Sequence, residues 1–157
     1  MRFMPLLVLA AAGCAGTGAT GSSPTVPTPT ATVSIAINPN PVVATDRDNP
    51  DAPLVAQWTV EVTSSSTGAR VNFVNATLRD GASGAEAEPS GTLSLGPADI
   101  VAASGSNRVE PNGRLVVAQS LQYALPSGGR AGVLTVTVQL TVDDGTLTSK
   151  SVQAPVN

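Results

Sequence analysis

Side chains able to do chemistry are few in this chain, and their scarcity narrows its possible functions. Histidine is absent and cysteine occurs once, at Cys14. A Ser-His-Asp triad, a Cys-His pair and histidine-ligated metal sites are therefore excluded. A serine–lysine dyad would have to use Lys150, the single lysine. It sits in Thr148-Ser149-Lys150-Ser151, a strand-patterned stretch that reads as solvated. Glu86 and Glu88 are two apart beside Pro89 in a loop with no apolar period. A glycosidase pair needs carboxylates held about 5–10 Å apart across a cleft, which a solvated loop does not offer. No catalytic residue is assigned, no cofactor is implied, and the chain reads as non-enzymatic.

One acidic cluster has oxygen ligands in a calcium-like arrangement. Asp46-Arg47-Asp48-Asn49-Pro50-Asp51 begins like an EF-hand loop. Pro50 then takes the fifth place, Asp51 stands where glycine is required, and Gln57 replaces the bidentate glutamate. That motif is excluded. A looser calcium site on Asp46, Asp48 and Asp51 is the weaker reading, beside a plain solvated loop. Asn75-Ala76-Thr77 fits a glycosylation sequon but lies mid-strand and is read as chance. Trp58 could stack on a sugar, but it shares a phase with Leu54, Ala56, Val60 and Val62, which assigns it to the core. A net charge of −3 without any basic run leaves no nucleic-acid footprint.

The elements that would position these residues begin after a targeting segment. Met1–Gly13 has a charged start at Arg2, an apolar run and small residues before Cys14, the layout of a secretory signal. The run is too short to span a bilayer as a helix, which takes about 20 residues. Ala15–Thr30 is rich in Gly, Ser, Thr and Pro and reads as a disordered spacer, stiffened by Pro24, Pro27 and Pro29. From Ala31 the apolar period becomes two, the period of a strand. The boundaries are 1–13 for the signal, 14–31 for the cysteine and linker, and 32–157 for one domain.

Within that domain, Val33, Ile35 and Ile37 alternate with polar or small residues until Asn38-Pro39-Asn40-Pro41 interrupts. Leu54–Thr63 alternates cleanly, with one apolar and one wet face. Arg70–Arg79 changes phase, which a bulge near Phe73 explains. Thr92–Leu95 and Ile100–Ala103 are short strand candidates. Leu115–Leu125 and Leu134–Val142 alternate again, and Asp143-Asp144-Gly145 is a hairpin turn. Thr146–Ala154 is the last strand, with Pro155 as its stop. Seven to nine strands and no helical stretch predict an all-β, antiparallel sandwich.

Two resemblances rest on these residues. Ala11-Ala12-Gly13-Cys14 resembles the lipobox of bacterial lipoproteins, with Ala11 where leucine is usual. The resemblance implies a diacylated Cys14 at a new amino terminus. The alternative is ordinary cleavage after Ala10-Ala11-Ala12, leaving a soluble protein with a free thiol. The strand pattern of Thr32–Val156, with Trp58 in its second strand and Phe73 on the next, resembles immunoglobulin-like and fibronectin type III-like domains. Together they imply a lipid-anchored envelope protein presenting a binding, adhesion or structural domain. Its partners would be the membrane, through the anchor, and a protein in the envelope. Ala15 lacks the aspartate that marks inner-membrane retention, which favours the outer membrane where one exists. A secreted calcium- or glycan-binding accessory module is the alternative.

Overall fold

The computed structural model describes residues 32–157; the expected signal, Cys14 and the expected linker lie outside them. Nine strands form two antiparallel sheets packed face to face, so the predicted all-β antiparallel sandwich is the fold. In the first sheet, β3 (Leu54–Ser64) is central. It pairs with β7 (Arg114–Tyr123) on one side, and with β1 (Val33–Asn38) and then β2 (Ala44–Asp46) on the other. The second sheet runs β5 (Thr92–Leu95), β4 (Ala69–Asp80), β8 (Gly132–Val142), β9 (Leu147–Val156). The short β6 (Arg108–Val109) adds to the start of β4.

The alternation read from sequence is the alternation of burial. Val60, Val62, Val117, Val136, Val138 and Leu140 are fully buried, and their neighbours in sequence face outward. Each such side chain contributes about 1.5–3 kcal/mol of transfer free energy. Trp58 is 3% exposed and belongs to the core, as its phase requires.

Both seams between the sheets are covered. On one side β1 lies against β9, and Val42 forms a parallel bridge to Val156. On the other side α1 (Pro97–Ser104) rests on β7, β4 and β5, and Glu88 bridges Ala124. Covered edges leave few unpaired backbone groups to recruit another chain.

Three local expectations are corrected. Ile100–Ala103 is helical, not a strand. Pro97 opens the helix, where its missing N–H costs nothing, and the Asp99 carboxylate accepts the Gly96 N–H at 3.0 Å. Ile100 alone is buried there, so the sequence carried no helical stripe. Phe73 lies outside the core at 43% exposure. Val71 pairs with Leu140 and Phe73 with Gln139, so Asn72 is the extra residue of the expected bulge, and it turns Phe73 outward. Pro155 does not end β9, which continues to Val156. The Pro155 carbonyl accepts the Val42 N–H at 2.9 Å, so its ring nitrogen faces that same outer side. The ladder to β8 loses no donor there.

Candidate functional site

The sandwich has two poles. Thr32 enters at the first, where it exchanges hydrogen bonds with Ser65: Thr32 N–H donates to the Ser65 hydroxyl at 3.1 Å, and Ser65 N–H to the Thr32 carbonyl at 3.0 Å. The β3–β4 turn, Glu110–Gly113 and the Asp143-Asp144-Gly145 hairpin share this pole. The second pole carries the loops 47–53, 81–91 and 124–131 and the carboxyl-terminal Asn157.

At the entry pole Arg108, Glu110 and Asp143 are paired with one another. Arg108 makes a bidentate pair with Asp143 at 2.9 and 3.0 Å and also reaches Glu110 at 3.0 Å. The pair holds the Asp143 carboxyl below its ordinary value and raises Arg108 further. Asp144 is lowered by hydrogen bonds from Thr146. Gly145 closes the turn at φ +87°, a conformation that favours glycine.

At the far pole the loops are tied together by residues far apart in sequence. Asp80, 2% exposed, accepts N–H donors from Ala82 at 2.8 Å and Ser127 at 2.7 Å. The Ser127 side chain and the N–H groups of Ala82, Ser127 and Ser83 favour the ionised form, and they hold this carboxyl far below its usual range despite burial. Glu88 and Ala124 exchange backbone hydrogen bonds at 2.8 and 3.0 Å. Arg130 donates to Asp46 Oδ1 at 2.7 Å and to the Ala44 carbonyl at 3.0 Å. Between these loops opens a cleft of about 350 Å³. Pro53, Leu54, Ala124 and Leu125 give it an apolar wall, and Asp46 and Arg130 give it a charged lip.

The other sequence-predicted residues are scattered around this cleft or away from it. Asp46, Asp48 and Asp51 are exposed in and beside the 47–53 loop. Asp46 faces Arg130, and the Asp51 N–H donates to the Asn49 side chain at 3.1 Å. Among the described residues no group of three acidic, histidine or cysteine side chains is placed to hold a metal. Glu86 and Glu88 lie in the 81–91 loop, where Glu86 accepts a bond from the Thr92 hydroxyl at 2.7 Å. Lys150 is exposed on β9, opposite Val138. Asn75 accepts the Ser94 hydroxyl at 2.6 Å on the outer face of β4. Cys14 lies outside the described residues.

Trp58 has a partner that the alternation did not reveal. Its indole N–H donates to Gln119 Oε1 at 2.7 Å, and the two residues are direct neighbours across β3 and β7. This accounts for the single polar residue in the inward series of β7. Tyr123, also fully buried, has its hydroxyl raised above its ordinary value by burial. Sequence reading also missed Asp80 and Arg130. The signal for Asp80 was the Asp80-Gly81 turn pair; Arg130 carried none.

No protein-family model and no curated protein matches the chain. Among solved structures, a Bordetella pertussis protein provisionally named ApaA is similar at 14% identity and a TM-score of 0.53, over 80% of this chain and 90% of that one. A second structural-genomics target shares 10% identity at a TM-score of 0.45, over 79% of this chain and 85% of that one. Spo0M, a sporulation control protein from Bacillus subtilis, shares 15% identity at a TM-score of 0.40, over 81% of this chain and 49% of that one. The first likeness is one of fold alone.

Proposed function

We propose that this chain is a non-enzymatic, lipid-anchored cell-envelope protein that presents its sandwich domain for binding, adhesion or structural support. One observation carries the reading. Ala11-Ala12-Gly13-Cys14 closes an apolar signal-like run, and a Pro- and Thr-rich spacer joins it to the domain. Acylation gives the lone cysteine a chemical purpose. A single acyl chain holds a protein only marginally, at about 0.8 kcal/mol per buried CH₂, whereas two or more hold it stably. The spacer then lifts the domain away from the surface.

Domain geometry supports this reading. Thr32 joins the domain beside Ser65 at one pole, which leaves the cross-tied loops at the other pole free for a protein partner in the envelope. Cross-tied loops bind with less loss of entropy than free ones. The outer membrane is the proposed location where the cell has one.

Metabolic labelling with palmitate, followed by membrane fractionation, tests the proposal. The wild-type chain should label and sediment with membranes, and Cys14→Ser should do neither. Equal labelling of the two chains sinks the anchor. A wild-type chain recovered entirely from the medium points instead to a secreted module.

A further inference from the structure

We propose that the far-pole cleft is a binding site for a carboxylate carried on a short aliphatic stem, and that Asp46 occupies its charged lip until the ligand displaces it. Arg130 is the one cation that lines the cleft. A guanidinium has five N–H donors in a planar fork that matches a carboxylate. Among the described residues Arg130 donates to two acceptors only, Asp46 Oδ1 and the Ala44 carbonyl. Donors therefore remain for a second carboxylate, and more are freed when Asp46 leaves.

Asp46 is built to leave. Its side chain is 75% exposed and that of Arg130 is 49% exposed. Exposed pairs of this kind are weak, because water screens the charges and two side chains must be held still. The bond from Arg130 to the Ala44 carbonyl does not involve Asp46. The guanidinium consequently keeps its place while its carboxylate partner is exchanged. Gly128 and Gly129 put no side chain over it.

The rest of the cleft sets the ligand class. Beyond the charged lip, Pro53, Leu54, Ala124 and Leu125 offer an apolar wall. That wall favours an aliphatic group and gives nothing to a second charge. The volume of about 350 Å³ lies at the small end of ligand clefts and has room for a small acid or the last residues of a peptide. Two sources share this chemistry: a small organic acid, and the terminal carboxylate of a peptide ending in a small apolar residue. The site does not depend on how the chain is held at the membrane.

Ligand-observed NMR on the full-length protein tests the inference. The probes are butyrate, its uncharged analogue butanol, the tripeptide Ala-Ala-Val and its carboxyl-terminal amide. Butyrate or the free tripeptide should bind saturably, and butanol and the amide should not. Tighter binding of the tripeptide than of butyrate identifies a chain terminus as the source, and the reverse identifies a small acid. Asp46→Asn should tighten binding about two- to fivefold, the scale of an exposed pair. Arg130→Gln should abolish it. Arg130→Lys keeps the charge without the fork and should weaken it; a melting curve for each variant confirms that it is folded. Absence of binding by both carboxylates overturns the site, as does equal binding by the amide or by folded Arg130→Gln. Unchanged affinity in Asp46→Asn overturns the displacement.

Discussion

Two buried side chains, Trp58 and Asp80, show how much of this molecule rests on single residues. Trp58 was legible from sequence because its phase matched four apolar neighbours. Its bond to Gln119 was not, because the partner lies on a strand 61 residues away. Truncation of a core aromatic costs about 3–5 kcal/mol. Trp58→Ala should therefore lose that much in urea unfolding, since it also strands the Gln119 amide. A loss under about 1 kcal/mol would show that the indole is not a core element. Asp80 carries a different lesson. Its role depends on Ser127, and no local pattern announces that contact. Its folded carboxyl lies below the usual value of 3.8. It therefore contributes stability above that value, and the contribution fades as pH falls below about 4. The stability gap between wild type and Asp80→Asn should be widest at neutral pH and narrow toward pH 2. A gap that widens in acid would contradict the assignment.

Strands were legible wherever one face is buried and the other is wet. Leu134–Val142 is the clearest case: every even position from Leu134 to Leu140 is at most 1% exposed. An unpaired charge in that series has nowhere to be solvated. Val138→Asp should abolish the cooperative thermal transition seen by circular dichroism; a near-normal melt would count against the sandwich core. The bulge in β4 was also legible, as a phase slip, but the orientation of Phe73 was not. Only the pairing with β8 decides which of the two residues is the extra one. The helix failed to register because Ile100 alone is buried on it. Its end signals were present in Gly96-Pro97 and Gly105, which adopts φ +78°, but a periodicity argument passes over them.

At the scale of the whole molecule, the fold and the candidate cleft differ in legibility for a physical reason. A sandwich is specified by repeated local alternation. A cleft is specified by a few long-range contacts, such as Arg130 with Asp46, which are 84 residues apart. The same scale joins the domain to its proposed anchor. Entry at the pole of Thr32 leaves the cleft at the opposite pole, and covered seams leave few edges for a neighbouring chain. Under the proposed function the domain is a module displayed from a membrane. The most direct test is the intact mass of the mature protein, purified from the membranes of the cell that makes it. A lipid-anchored protein should give a polypeptide beginning at Cys14 that is heavier than residues 14–157 by its acyl groups. A mass equal to an unmodified polypeptide, whatever its first residue, would contradict the anchor.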